Sequence, residues 1–200
     1  MKTLLTSLAV LALASSAHAD DIGYYGDFRA SLMSPEMDSV DAATNDRLSG
    51  TQFRTAFGIR LGRWGLEPNL ALVSVDHEDY AMNTSATLRD YASYGLDVRY
   101  TFSRGPASAY LRGGVHRAWS QARASFTSAG GIDSEPGRSG GGIGGALGLQ
   151  FVTRIPGSPL STAFYLEAGR DLTWIHTASD PYERISSGRV AMGFYAGTNL

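Results

Sequence analysis

The chain has 200 residues, with 17 Lys plus Arg against 19 Asp plus Glu, a formal net charge of −2, and no cysteine. That balance offers no basic face for nucleic acid, and the missing cysteine excludes disulfides, a thiolate metal site and a lipid-bearing N-terminal Cys. With 24 Gly and only 7 Pro, and period-two alternation in place of helical spacing, the composition points to an all-β chain.

In chain order, the first element is a leader. MKTLLTSLAVLALASSAHA carries one cation at Lys2, an apolar run from Leu4 to Ala14, and small residues at Ala17 and Ala19, the pattern a signal peptidase reads. Cleavage is expected after Ala19, leaving residues 20–200 as one exported domain. The apolar run is too short to span a membrane as a helix, and no later segment approaches the roughly 20 uninterrupted apolar residues required. Lys2 is the only lysine, so every cation of the mature domain is arginine, which suits rigid carboxylate pairing.

Eight strands follow, at about 22–36, 51–63, 66–77, 88–102, 107–120, 141–153, 161–176 and 186–199. Links after the odd-numbered strands are long or acidic, as in SPEMDSVDAATNDRLSG and ARASFTSAGGIDSEPGRS; links after the even-numbered ones are short, near GRWGLEP, SRGPAS and RIPGSP. This alternation predicts an antiparallel up-and-down barrel with four large loops on one rim and three turns on the other.

Along these strands one face is apolar and the other charged or small. Phe53, Thr55, Phe57, Ile59 and Leu61 oppose Arg54, Gly58 and Arg60; Tyr94, Leu96, Val98, Tyr100 and Phe102 oppose Asp97 and Arg99; Phe164, Leu166, Ala168, Leu172 and Trp174 oppose Glu167 and Asp171. The third strand is ambiguous, because Ala71, Val73 and Val75 stand against Leu70 and Leu72. A soluble barrel would turn the apolar face inward, a membrane barrel outward. Aromatic residues favour the latter, with Trp64, Tyr100, Phe102, Tyr110, Phe151 and Phe164 near the turn rim and Tyr91, Trp119 and Trp174 near the loop rim, as in two interfacial girdles. The last strand keeps Val190, Met192, Phe194, Ala196, Thr198 and Leu200 in one phase. Leader, alternating glycine-rich strands, unequal links and this terminal strand together resemble the OmpA/OmpX-type outer-membrane barrels over residues 20–200. The resemblance implies an eight-stranded transmembrane barrel in a Gram-negative outer membrane, inserted by the barrel-assembly machinery.

The run SGGGIGGALGLQFV, residues 139–152, contains Gly140, Gly142 and Gly145 at dinucleotide-loop spacing and Gly137, Ser139 and Gly141 at hydrolase-elbow spacing. Both motifs need a strand followed by a helix, whereas another alternating strand follows here. The even-numbered glycines are read instead as lumen positions kept small to admit long Arg and Glu side chains from neighbouring strands.

The same phase places Asp27, Arg29, Arg54, Arg60, Glu67, Asp97, Arg99, Arg112, His116, Glu167, Asp171 and Arg189 in the lumen. Buried charges of both signs should pair into a hydrated Arg–carboxylate plug, which rearranging pairs could turn into a gated ion path. Arg117 and Arg170 fall in the lipid-facing phase; Arg117 is near enough to the loop rim to reach water, and a bulge near Gly169 would rescue Arg170.

A lipid A-modifying enzyme is the main competing reading, with a soluble periplasmic ligand-binding barrel behind it. The spacing tells against catalysis: His176 and Ser179 fall on opposite faces, and His116 and Ser120 lie two pleats apart. His77 and His176 are read as loop-rim residues, and Asp76-His77-Glu78-Asp79 as a solvated acidic run, so neither a metal nor a cofactor is expected. The loops carry Glu36, Asp38, Asp41, Asp46, Glu78, Asp79, Asp133, Glu135, Asp180 and Glu183, a surface suited to an extracellular ligand or to lipopolysaccharide through divalent counterions. The expectation is a monomeric, non-enzymatic barrel serving envelope structure or surface interaction.

Overall fold

The computed structural model describes residues 22–37, 47–79, 84–120, 123–126, 132–135, 137–176 and 183–198. The leader, Asp38, Asp41, Asp46, Ser179, Asp180 and Leu200 lie outside the described residues, as do the side chains of Asp76, His77, Glu78, Asp79, Ser120, Asp133, Glu135 and Glu183.

The described residues form ten strands: β1 (Ile22–Met37), β2 (Arg47–Leu61), β3 (Trp64–Asp79), β4 (Thr84–Thr101), β5 (Ala107–Ser120), β6 (Arg123–Phe126), β7 (Ile132–Glu135), β8 (Arg138–Arg154), β9 (Leu160–His176) and β10 (Glu183–Thr198). Eight of them close an antiparallel barrel in the order β1-β10-β9-β8-β5-β4-β3-β2, and β6 and β7 pair as a separate hairpin in the connection between β5 and β8. That hairpin escapes the sequence reading, which took the segment as loop. The barrel strands run 14–18 residues, beyond the roughly 9–11 that cross a bilayer. β2 and β4 start earlier than the alternation suggests, because ladder pairs such as Arg47 with Glu78 and Thr84 with Asp79 continue where both sheet faces are polar.

The register sets the shape. From Asp27 the paired residues run through Ala56, Asn69, Gly95, His116, Gly142, Thr173 and Ile185 and return to β1 at Met37, ten residues higher. A shift of that size over eight strands corresponds to a strand tilt of about 40° from standard rise and spacing. Gly62 and Gly157, at φ of 62° and 72°, adopt the left-handed conformation in two of the short turns.

Side chains alternate cleanly between lumen and exterior. The exterior carries Phe28, Leu32, Phe53, Phe57, Leu70, Leu72, Leu96, Leu111, Val115, Ile143, Leu147, Leu166, Val190 and Met192, with Leu32 and Leu72 at 73% and 66% exposure. A belt this wide and continuous would not persist in water. Aromatic rings edge it: Tyr24 and Phe57, Trp64 and Tyr100, and Phe28, Phe164 and Phe194 pack together toward the turns, and Tyr94 packs on Trp119 toward the loops. β3 resolves with Leu70 and Leu72 outside and Ala71, Val73 and Val75 inside. Tyr91 and Tyr110 correct the girdle expected from sequence: both point inward, at 6% and 0% exposure, because they share strand parity with the lumen residues Ser93 and Arg112.

The lumen is stacked in three layers. Tyr25, Tyr110, Tyr165 and Tyr195 form a floor toward the turns. Charged residues fill the middle, and Met33, Val73, Val75, Tyr91, Ala118, Ile175 and Ile185 form a cap toward the loops. The exterior residues interleaved with the cap include Ser34, Ser74, Trp119, Trp174, Arg184 and Ser186, polar or indole side chains that mark the end of the belt.

Candidate functional site

The charged middle layer is built by alternation. Each strand in the belt must turn every second residue inward, and the inward residues here are Asp27 and Arg29 on β1, Arg54 and Arg60 on β2, Glu67 on β3, Asp97 and Arg99 on β4, Arg112 and His116 on β5, Glu167 and Asp171 on β9 and Arg189 on β10. All are buried except His116, which is half-buried.

Arg112 is the hub. Its guanidinium meets three carboxylates, Nε to Glu67 Oε2 at 3.0 Å, Nη1 to Glu167 Oε2 at 3.1 Å and Nη2 to Asp27 Oδ2 at 3.3 Å. The first two lie off the N–H axes, so they are ion pairs rather than aligned hydrogen bonds. Each carboxylate also accepts a tyrosine hydroxyl from the floor: Tyr25 donates to Glu67 at 2.7 Å, Tyr165 to Asp27 at 2.6 Å and Tyr110 to Glu167 at 2.9 Å. Three anions around one cation would repel one another, and the surrounding arginines offset that charge. Arg29 and Arg189 approach Glu167, and Arg99 and Arg54 approach Glu67 at 3.6 and 3.9 Å.

Arg99 ties the layer to the floor. Its guanidinium lies 3.8 Å from the Tyr110 ring centroid and 4.7 Å from that of Tyr195, and it donates to Gln150, which also accepts from Tyr195. Stacked guanidinium and rings leave little open cross-section there. Higher up, Arg54 pairs with Asp97, Arg189 with Asp171, and His116 Nε2 meets Thr173 Oγ1 at 2.9 Å. A polar cavity of about 30 Å³ lies among Arg29, Gln52, Arg54, Asp97, Asp171 and Arg189. Arg60 differs from the rest of its predicted group: it turns toward the rim, where Nε donates to the Gly62 carbonyl at 2.9 Å.

The four floor tyrosines and Gln150 are missing from the charged set expected from the sequence, although alternation already puts Tyr165 and Gln150 on the lumen phase of their strands. Their signal was available, since Tyr25, Tyr110 and Tyr165 each stand two residues before Asp27, Arg112 and Glu167 and so share their face.

The β8 glycines make room, although not for the side chains expected. A Cβ at Gly142 would run into the His116 ring, at Gly144 into the Asp171 carboxylate, and at Gly148 into the Tyr110 ring. The neighbours that need the space are thus a His, an Asp and a Tyr rather than long Arg and Glu chains. Neither the dinucleotide-loop nor the hydrolase-elbow spacing sits before a helix, because all of β8 is one continuous strand. Among the described residues no three His, Asp or Glu side chains converge to hold a metal.

The bulge expected near Gly169 is not there: β9 keeps unbroken register with both neighbours. Arg170 faces outward, and its guanidinium is satisfied locally, Nε donating to Ser186 at 3.0 Å and Nη2 to Glu36 at 3.2 Å. The ladder irregularity lies instead between Val75 and Asp76 on β3.

A closed barrel that is apolar outside and charged inside defines a class, the eight-stranded transmembrane β-barrel. No helix among the described residues is long and apolar enough to cross a membrane. No protein-family model and no curated protein matches this chain. Solved structures with a similar fold include Neisserial surface protein A, at 18% identity over 88% of this chain and 97% of that one with a TM-score of 0.48. Ail, the attachment invasion locus protein of Yersinia pestis, solved in complex with the heparin analogue sucrose octasulfate, is similar at 13% identity over 88% of this chain and 99% of that one, TM-score 0.45. The N-terminal barrel domain of Pseudomonas aeruginosa OprF is similar at 11% identity over 84% and 96%, TM-score 0.34. The class rests on the belt and the lumen, not on these likenesses.

Proposed function

We propose that this chain is an integral barrel of a bacterial outer membrane, non-enzymatic, with a closed lumen and a loop surface that serves envelope structure or surface interaction. The observation that carries the reading is inverted polarity: Leu, Val and Phe side chains cover the exterior while Asp27, Glu67, Arg112 and Glu167 are sealed at 0–3% exposure. In water such a belt would drive aggregation, and in hydrocarbon it is the stable arrangement. The packed lumen favours a scaffold over a pore, because the tyrosine floor, the arginine web and the apolar cap obstruct it in series. His116 points into the lumen, where it is half-buried and meets the Thr173 hydroxyl, away from the lipid-facing wall, which supports a non-enzymatic reading over lipid A modification.

The test is a gel-mobility comparison of boiled and unboiled protein, with recovery in outer-membrane fractions. A heat-dependent shift and spin labels at Leu96, Leu147 and Phe194 in contact with acyl chains are expected. Full solubility without detergent, or labels at Asp97 and Gly148 meeting lipid, would overturn the reading. Altered lipid A mass in cells overproducing the protein would restore the enzyme.

A further inference from the structure

One buried cation is left over at the turn end of the lumen. The buried arginines Arg29, Arg54, Arg99, Arg112 and Arg189 face five buried carboxylates, Asp27, Glu67, Asp97, Glu167 and Asp171, and each of them meets at least one. Arg60 is the sixth buried arginine, at 8% exposure, and it meets no carboxylate among the described residues; its Nε donates to the Gly62 carbonyl. The charged neighbours that act on it, Arg99 and Arg104, carry its own sign. A buried charge without a counterion is costly, so Arg60 is a standing demand for an anion.

Its surroundings meet that demand only with donors. Gly65 on β3 pairs with Arg60 on one side and with Arg99 on the other. A recess of about 10 Å³ lies there, lined by Arg60, Arg63, Arg99, Thr101, Trp64 and Tyr195, and no Asp or Glu among the described residues lines it. Arg99 Nε is buried and has no hydrogen-bond partner. Arg63 is exposed and meets no carboxylate among the described residues. The rest of the rim has the same sign: the three short turns carry Arg63, Arg104 and Arg154, with no Asp or Glu in 61–64, 101–107 or 154–160.

A recess of that size holds roughly one water-sized group. A water would satisfy an N–H there but leave the charge of Arg60 standing. A carboxylate does both, with one oxygen in the recess and the other turned to the exposed Arg63, a match to the guanidinium fork. Arg60 and Arg99 stand on the lumen phase of their strands, so the recess faces the barrel axis and not the outer wall, which favours a water-borne acid over a lipid headgroup.

Resting on the membrane reading above, which turns this rim to the periplasm, we infer that the recess is a carboxylate site in which Arg60, Arg63 and Arg99 receive one free carboxylate of an acidic peptide. The ligand supplies the counterion that the lumen itself lacks, and it ties the barrel to a partner on the turn side.

The experiment takes the protein from outer-membrane fractions into a neutral detergent and follows the anisotropy of two rhodamine-labelled peptides, Gly-Gly-Glu-Glu and its amidated Gly-Gly-Gln-Gln counterpart. Saturable binding of the acidic peptide alone is expected, displaced by glutarate. Arg60→Gln should weaken it about tenfold without lowering the urea midpoint, since it removes an unpaired charge. Arg63→Gln should weaken it too, and Arg154→Gln, on the same rim outside the recess, should leave it intact. No binding, binding of both peptides, or an equal loss with Arg154→Gln would overturn the inference. Displacement by dihexanoyl phosphatidylglycerol but not by glutarate would give the site to a headgroup, and binding that appears only with Asp20→Asn and Asp21→Asn would give it to the chain's own acids; either overturns it while the barrel still folds. Absence of the protein from outer-membrane fractions would instead overturn the membrane reading and this inference with it.

Discussion

The two ends of the lumen are closed by opposite chemistry. Toward the turns, Tyr25, Tyr110, Tyr165 and Tyr195 present rings to one another and hydroxyls to Glu67, Glu167, Asp27 and Gln150. Toward the loops, the side chains of Met33, Val73, Val75, Ala118, Ile175 and Ile185 offer no hydrogen-bonding group, and of that cap only Tyr91 carries a hydroxyl. The floor adjoins carboxylates buried at 0–3% exposure, so each closing side chain there also donates to one of them or to Gln150. The cap lies above the belt, with Ser34, Ser74 and Arg184 on its outer side, and can be held like the core of a soluble protein. One barrel thus uses two modes of stabilisation, and each end responds to a different kind of damage.

The largest effect should come from the hub. Arg112→Met leaves three carboxylates facing one another, and an uncompensated buried charge costs about 3–5 kcal/mol; a lowered urea midpoint in detergent checks this, and an unchanged midpoint would mean the neighbouring arginines suffice. Ile175→Ala in the cap should cost about 2–5 kcal/mol, and hydrogen exchange should locate the loss at the loop ends of β8, β9 and β10, with the floor amides still protected. Loss spread evenly over the barrel would merge the two regions into one cooperative unit. Gly148→Ala, which drives a Cβ into the Tyr110 ring, should cost about 1–3 kcal/mol and be relieved by adding Tyr110→Leu.

Smaller effects sharpen the contrast. Tyr195→Phe removes one hydroxyl from Gln150, which Arg99 still satisfies, so about 1 kcal/mol is expected in the same unfolding assay. Glu36→Gln breaks an ion pair whose side chains are 68% and 76% exposed, and a change of no more than about 1 kcal/mol should follow. A larger loss there would show that the outer ion pair is shielded from water by lipid.

Much of this was legible without coordinates, for a geometric reason: a strand turns every second residue to the same side, so one correctly placed charge assigns its whole strand. Asp97 against Leu96 settled β4, and Glu167 against Leu166 settled β9. Where both faces are apolar the rule has no purchase, and β3 stayed open until the ladder placed Leu72 opposite Phe53 outside and Val73 opposite Gln52 inside. The tyrosines were misread for a related reason: an aromatic near a strand end suits an interface as well as a lumen, and at Tyr91 and Tyr110 parity had to overrule residue type.

Alternation in the sequence alone determined the barrel, its inside and outside, and which charges are buried, because these depend only on the two-residue period of an extended chain. The partners of those charges were decided by the tertiary structure. A ten-residue register shift around eight tilted strands brings Arg112 on β5 level with Asp27, Glu67 and Glu167 from three other strands, and nothing local to any one strand encodes that height. The same shift lifts an apolar cap above the belt, since neighbours across a closed sheet are chosen by the closure and not by the chain that passes through it.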